Sequence, residues 1–104
     1  MELKNKDKTI LIVDDSRLNL RILSDILEPE AYRIASAESG KMALEFVEMK
    51  KPDLILLDIL MPDINGLEVC RSLKSKESTK NIPIIFISGL DKSEDIVKGF
   101  QAGA

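Results

Sequence analysis

The chain has 104 residues, enough for one domain with a single hydrophobic core and too few for two. Hydrophobic residues make up 44% and charged residues 32% of the sequence, which is typical of a globular domain and excludes long disorder. The net charge of −3 gives no sign of a nucleic-acid-binding surface, so we expect no direct contact with nucleic acid.

The cysteine and histidine content limits the kinds of functional site that the chain can form. A single cysteine, Cys70, excludes an internal disulfide and favours a reducing, cytoplasmic compartment. Cys70 lies in an apolar helical pattern and is expected to be a buried side chain, with a reactive thiol as the less favoured alternative. The chain has no histidine and therefore no histidine base or metal ligand. Its apolar runs are no longer than strands, so no membrane span is expected, and its N-terminus lacks the apolar stretch of a signal peptide.

Short apolar runs alternate with helical patterns along the chain. The first run, at residues 9–13, predicts a strand, and the runs at 32–35, 54–57 and 82–87 predict three more. Several of these runs are apolar without alternation, which is typical of strands covered on both faces of a parallel sheet.

Each predicted strand is followed by apolar residues at helical spacing, which predicts four amphipathic helices. In chain order their apolar stripes are Leu18, Ile22 and Ile26, widened by Leu20, Leu23 and Leu27; Met42, Ala43, Phe46 and Val47; Leu67, Cys70 and Leu73; and Ile96, Val97 and Phe100. Ser16 is a plausible N-cap of the first helix. Asn65 with Glu68, and Asp91 with Glu94, have the spacing of an N-cap and the third helical residue. This β-α order predicts an α/β fold with a doubly wound parallel sheet and right-handed crossovers.

Polar side chains follow the predicted strands directly. Asp14 and Asp15 come after the first strand, Asp58 after the third and Ser88 after the fourth. In the flavodoxin-like strand order 2-1-3-4, the first and third strands are neighbours, and their carboxyl ends lie at the same edge of the sheet. We therefore expect the three carboxylates to converge there. The alternative, in which each aspartate merely caps the next helix, is plausible for Asp15 alone but not for all three together.

Three carboxylates within a few ångströms repel one another, and a divalent cation with hard oxygen ligands relieves that repulsion. Mg²⁺ suits a site that keeps several waters. The same cation can neutralise phosphoryl oxygens during transfer to a carboxylate nucleophile. The sequence therefore predicts a Mg²⁺ site at which phosphoryl transfer can occur. Ser88 alone carries little weight, because a Ser-Gly pair after a strand is usually a turn.

Four runs of the chain carry a family resemblance, at residues 10–16, 52–68, 82–88 and 99–104. In order, they resemble the opening, the phosphorylation-site segment, the fourth strand and the end of the fourth helix of response regulator receiver domains. These are the CheY-like domains of two-component signal transduction. The resemblance extends over nearly the whole chain, because the runs occur in the family's order at matching separations, and it implies a flavodoxin-like (CheY-like) fold.

The resemblance also implies roles at the acidic site. Asp58 would be the phosphoacceptor, taking a phosphoryl group from the phosphohistidine of a sensor histidine kinase or a phosphotransfer protein. Mg²⁺ would be bound by Asp15, by Asp58, by the backbone carbonyl of Leu60 and, mainly through water, by Asp14. Such a domain is a phosphoacceptor switch that assists its own phosphorylation and is not a turnover enzyme.

For the switch, the resemblance implies that the hydroxyl of Ser88 bonds to the acyl phosphate and draws the loop at 89–91 with it. The fourth helix would then present an altered face. In the loop after the phosphoacceptor, Met61 and Pro62 would shape the chain and Gly66 would permit its turn.

The chain departs from the family pattern at its end. Receiver domains continue with a fifth strand that ends in a lysine, followed by a fifth helix, whereas this sequence stops at Ala104. Lys92 and Lys98 lie in the fourth helical pattern, so neither can replace that lysine. We therefore expect residues 1–104 to be a single receiver domain, incomplete at its C-terminus. Its fourth strand would be an open apolar edge, which favours a homodimer that covers it.

Two alternative functions remain open at this point. One is a receiver-like interaction module that does not respond to phosphorylation. The other is a metal-dependent phosphohydrolase with an aspartyl nucleophile, and Leu60 argues against it, because such enzymes usually carry a second aspartate at that position.

Overall fold

The computed structural model of the chain describes residues 7–61 and 63–87. The elements in chain order are β1 (Thr9–Val13), α1 (Arg17–Leu27), a short 3₁₀ helix (Glu28–Glu30), β2 (Arg33–Ala37), α2 (Gly40–Met49), β3 (Leu54–Asp58), α3 (Gly66–Lys74) and β4 (Ile84–Ile87). The predictions for Pro62, Ser88, the Asp91 cap, the fourth helix and the run at 99–104 lie outside the described residues.

The four strands form one parallel sheet in the order β2-β1-β3-β4, which confirms the predicted flavodoxin-like topology. The chain passes from β1 to β2 on one side and returns to β3 on the other, so the strand order reverses between β1 and β3. In register, Val13 lies opposite Leu57, and Asp58 lies opposite Ile87. The residues that leave β1 and β3 therefore emerge side by side, at the point where α/β sheets of this type bind ligands.

The core consists of two clusters of apolar side chains. Leu11 and Val13 of β1, with Ile55 and Leu57 of β3, belong to the larger cluster, which includes side chains from α2 and α3. Ile10 and Ile12 belong to the smaller cluster with residues of α1. Every residue of β1 is buried, because this strand is central in the sheet and has apolar side chains packed against both faces.

The bounds of β2 and β4 differ from those predicted. β2 runs over Arg33–Ala37 rather than 32–35, because it pairs residue for residue with Thr9–Val13 despite the polar Ser36. β4 begins at Ile84 rather than at residue 82. The N–H of Ile82 donates to Thr79 O in a turn, and the following Pro83 has no N–H to donate. β3 extends one residue further than predicted and ends on Asp58 itself.

The prediction for the apolar stripe of α1 was only partly right, because one of its two sets of residues is exposed. Leu18, Ile22 and Ile26 are 67%, 46% and 63% exposed. Leu20 is buried instead, and Leu23 and Leu27 pack half-buried beside it against β1. Both sets have helical spacing, so the pattern alone did not indicate which set faces the sheet. In α2, Met42 is likewise exposed, whereas Ala43 and Val47 are buried as predicted.

The predicted caps of α1 and α3 and the predicted burial of the cysteine are confirmed. Ser16 Oγ accepts from the N–H of Asn19 at the start of α1, and Asn65 Oδ1 accepts from the N–H of Glu68 at the start of α3. Cys70 is fully buried, and this burial raises the pKa of its thiol. None of the helices in the described ranges has the length and apolar character needed to cross a membrane.

Candidate functional site

The candidate site lies where β1 and β3 end. The N–H of Asp14 continues the ladder by donating to Ala37 O of β2 at 3.1 Å, which fixes the chain as it leaves β1. Asp15 follows directly, and Ser16 then caps α1. Asp58 is the last residue of β3 and is therefore held by the same sheet.

The sheet brings all three predicted carboxylates together. One carboxylate oxygen from each of Asp14, Asp15 and Asp58 lies within 4.8 Å of the other two. Asp14 is buried, Asp15 is exposed and Asp58 is half-buried, so the group opens to solvent on one side. Within residues 7–61 and 63–87, this is the one cluster of acidic, histidine or cysteine side chains with spacing suitable for a metal ion.

The buried carboxylate of Asp14 is oriented by two hydrogen bonds. The N–H of Ser16 donates to Asp14 Oδ1 at 2.9 Å, and Asn19 Nδ2 donates to Asp14 Oδ2 at 3.2 Å. Asn19 was not predicted as a site residue. Nothing in the sequence singles it out, because α1 carries four other polar residues, Arg17, Arg21, Ser24 and Asp25.

Asp58 is less acidic than an ordinary aspartate. Burial and then the charge of Asp14 are the main causes that raise its pKa from the ordinary 3.8 to about 6, with a smaller contribution from Asp15. The backbone N–H groups of Leu60 and Ile59 oppose this rise by hydrogen-bonding to the carboxylate. Near pH 6 the carboxyl of Asp58 is thus partly protonated, and a cation among the three oxygens would favour its charged, nucleophilic form.

The donor set fits Mg²⁺. All three side chains offer hard carboxylate oxygens, which suit Mg²⁺ better than softer metals, and the exposed side leaves room for water ligands.

The loop that follows β3 folds back so that its end contacts the end of the strand. The N–H of Gly66 donates to Ile59 O at 2.7 Å, and a Cβ at Gly66 would collide with the backbone oxygen of Asp58. Glycine is therefore required where α3 starts. Met61 is buried in the larger core cluster, whereas the Leu60 side chain is 46% exposed.

The chain is an α/β protein with a doubly wound parallel sheet. Its three carboxylates lie where the strand order reverses, and together they form an acidic site of the cation-binding type. The chain belongs to the response regulator receiver domain family, which matches residues 10–104. Members of this family are phosphoacceptor switches that interact with histidine kinases or phosphotransfer proteins and bind Mg²⁺ at an acidic pocket.

Individual relatives agree with this assignment. The chain is 41% identical over 95 residues to the response regulator PleD of Caulobacter vibrioides, an alignment that covers 91% of this chain and 21% of PleD. It is 35% identical over 96 residues to the polar-differentiation response regulator DivK of Brucella ovis, covering 92% of this chain and 78% of DivK. The signal receiver domain of a signal transduction histidine kinase from Syntrophus aciditrophicus superposes with a TM-score of 0.84 at 36% identity, covering 93% of this chain and 74% of that chain. The chain thus spans about a fifth of the length of PleD and most of the length of DivK.

Proposed function

We propose that Asp58 accepts a phosphoryl group from the phosphohistidine of a sensor histidine kinase, or of a phosphotransfer protein, in a Mg²⁺-dependent reaction. The observation that carries this proposal is the approach of one oxygen from each of Asp14, Asp15 and Asp58 to within 4.8 Å. Such a group of charges is costly without a cation and well suited to phosphoryl transfer with one.

In the proposed step, a carboxylate oxygen of Asp58 forms a bond to phosphorus while the bond between phosphorus and the donor's imidazole nitrogen breaks. The imidazole nitrogen keeps the electron pair of the broken bond, and because the other ring nitrogen of the donor carries a proton, it leaves as neutral imidazole while an acyl phosphate forms on Asp58. Asp15 and Asp58 would bind Mg²⁺ directly, Asp14 would act mainly through water, and the backbone carbonyl of Leu60 would supply a further ligand. When bound, Mg²⁺ supplies positive charge for the phosphoryl oxygens. Asn19 contributes by holding Asp14 in place.

The switch that follows is also part of the proposal. The hydroxyl of Ser88 bonds to the acyl phosphate, and the loop at 89–91 moves with it. Met61 and Pro62 shape the loop that follows Asp58, and Gly66 permits its turn. Because phosphorylation adds negative charge and strong acceptor oxygens at the edge of the sheet, a nearby hydroxyl is drawn toward it.

The domain acts as a switch and not as a turnover enzyme. Two residues after Asp58 the chain has Leu60, whose exposed side chain contains no group that can donate or accept a proton. The site therefore lacks an acid–base group at the place where an aspartyl phosphohydrolase would carry one.

The cytoplasmic location that the single cysteine favours stays a prediction.

The direct test is incubation with a small acyl phosphate donor and Mg²⁺, followed by intact-mass measurement. We expect one phosphoryl group per chain, removed by hydroxylamine and prevented by a chelator. No incorporation would favour the interaction module that does not respond to phosphate, and sustained hydrolysis of a simple phosphate ester would favour the phosphohydrolase.

We propose that the kinase docks on the exposed apolar stripe of α1, formed by Leu18, Ile22 and Ile26. This stripe starts three residues after Asp15 and so runs directly away from the acidic site. A protein that brings a phosphohistidine to Asp58 must cover the surroundings of the site, and this surface offers it apolar side chains that the described part of the chain leaves exposed.

Ile22→Glu is therefore expected to slow phosphoryl transfer from the kinase by about tenfold or more, because a charge would be placed in an apolar contact. The rate with the small acyl phosphate should not change, since that donor needs no docking surface. Met49→Glu is the matched control, because Met49 is 88% exposed at the far end of α2. Equal slowing with both donors would contradict the docking surface.

We also propose the homodimer through the β4 edge. Within the described residues, β4 pairs with β3 alone, and Ile85 on this strand is 52% exposed. Sedimentation at micromolar concentration is expected to give a dimer, and Ile85→Lys should shift it to monomer. A wild-type monomer would contradict this assembly.

A further inference from the structure

Asp63 connects two elements that are distant in the sequence. It lies in the loop between β3 and α3, and its carboxylate reaches the first turn of α2. The N–H of Gly40 donates to Asp63 Oδ1 at 3.2 Å, and the N–H of Lys41 donates to Asp63 Oδ2 at 3.0 Å. One carboxylate thus accepts hydrogen bonds from two consecutive backbone amides.

These contacts complete the hydrogen bonding at the start of α2. A helix leaves its first N–H groups without partners inside the helix. Ser39 Oγ accepts from the N–H of Met42, and Ser39 O accepts from the N–H of Ala43. The remaining two N–H groups of that turn go to Asp63. A negative charge is favourable at this end of a helix.

The carboxylate of Asp63 is therefore a stable anion. Hydrogen bonds from the backbone N–H of Ile64, and then from those of Lys41 and Gly40, hold its pKa below the ordinary value. The hydrogen bonds between the Asp63 carboxylate and the start of α2 therefore persist throughout the neutral pH range.

The loop also packs directly on the start of α2. A Cβ at Gly40 would lie 2.7 Å from Ile64 O and 2.9 Å from Ile64 Cβ, which is closer than such atoms can approach. Gly40 therefore allows the loop to rest on the helix, and Asp63 bonds to the amides beside it. The contact joins the loop to α2 through both packing and charge-assisted hydrogen bonds.

The same loop carries backbone groups that touch the phosphoacceptor. The N–H groups of Ile59 and Leu60 bond to the carboxylate of Asp58. One end of the loop is tied by the bond between Gly66 N and Ile59 O, and Asp63 ties its middle to α2. Without the hydrogen bonds of Asp63, only the packing of Ile64 on Gly40 would join this loop to α2.

We propose that Asp63 is a positioning residue for phosphoryl transfer: it joins the β3–α3 loop to the start of α2 and so holds the main chain of Leu60 against Asp58 and its cation. This inference rests on the proposed function of the site. It assigns Asp63 no contact with the phosphoryl group.

The test compares Asp63→Ala with Ser39→Ala. Both variants remove a side chain that bonds to the first turn of α2, so both should lower stability, but Ser39 has no bond to the loop among the described contacts. We expect Asp63→Ala to weaken Mg²⁺ binding by about tenfold, and Ser39→Ala to leave it unchanged. Asp63→Asn, which keeps one acceptor oxygen, should fall between Asp63→Ala and the wild type.

Amide hydrogen exchange without Mg²⁺ provides a readout that does not depend on phosphorylation. Exchange at Ile59 and Leu60 should accelerate in Asp63→Ala and stay at the wild-type rate in Ser39→Ala. Unchanged exchange and Mg²⁺ affinity in Asp63→Ala, or equal changes in both variants, would overturn the inference. If the wild type bound no Mg²⁺, the proposed function would fail, while the exchange data would still decide whether Asp63 holds the loop.

Discussion

Asp58→Asn is expected to abolish phosphoryl incorporation from a small acyl phosphate donor. The substitution replaces a carboxylate nucleophile with an amide of nearly the same shape, and an amide does not attack phosphorus. It also removes one of the three negative charges that would bind Mg²⁺. Since both effects act on the same step, we expect a loss of at least about a thousandfold, measured by intact mass after reaction with excess donor.

Asp53→Asn is the matched control for this variant. Asp53 lies just before β3, at the opposite end of the strand from Asp58, and its Oδ2 accepts from the N–H of Thr9 at 2.7 Å. Its replacement should lower stability by about 1 kcal/mol, because the bond to Thr9 loses its charge assistance, yet leave incorporation intact. Incorporation that persisted in Asp58→Asn, or disappeared in Asp53→Asn while the fold was retained, would remove Asp58 from the proposed role.

Asp58→Asn is also expected to stabilise the Mg²⁺-free protein relative to the wild type, and increasingly so as the pH rises from about 4 to above 6. The pKa of Asp58 is about 6 in the folded protein against an ordinary value of 3.8. Between these values the folded state binds more protons than the unfolded state, so the contribution of Asp58 to the free energy of unfolding falls as the pH rises.

The expected size of this effect follows from the pKa of Asp58. Its rise corresponds to about 3 kcal/mol before solvent screening, which we reduce to about 1–2 kcal/mol for a half-buried carboxyl open to water on one side. Urea unfolding of both proteins at pH 4 and pH 7.5, with a chelator present, measures the difference directly. A constant difference between the two proteins across this range would contradict the raised pKa of Asp58, which we attribute to burial and then to the charge of Asp14.

At pH 7.5, added Mg²⁺ should make the wild type more stable than Asp58→Asn. A cation that binds only the folded state stabilises it by about 2.7 kcal/mol at a hundredfold excess over its Kd. The wild type has the full set of carboxylates and should gain more than Asp58→Asn. Equal gains in both proteins would indicate that the cation binds elsewhere.

Local sequence patterns predicted much of the fold correctly. Unbroken apolar runs predicted a parallel sheet, because a strand covered on both faces needs apolar residues at every position, as in β1. Ser16 and Asn65 were predictable as caps because each bonds to a backbone amide only three residues away. Asp14, Asp15 and Asp58 could be placed together because residues that directly follow neighbouring parallel strands emerge at one edge.

The buried face of α1 could not be predicted in this way. Its two apolar sets, one containing Leu18 and Ile22 and the other Leu20 and Leu23, have equally good helical spacing. The choice between them depends on the rotation of the helix about its own axis when it packs on β1, which is a property of the assembled layers.

The sequence by itself thus determined the parallel sheet, from periodicity, and the three carboxylates, from their places directly after strands. The strand order that brings them together was an expectation from the family resemblance. Only the tertiary structure decided that Asn19 holds Asp14 and that Asp63 bonds to the start of α2. The physical reason is that a hydrogen bond between a loop and a helix more than twenty residues earlier leaves no periodic signal in the sequence. It exists because the sheet places the end of β3 and the start of α2 at the same edge of the domain.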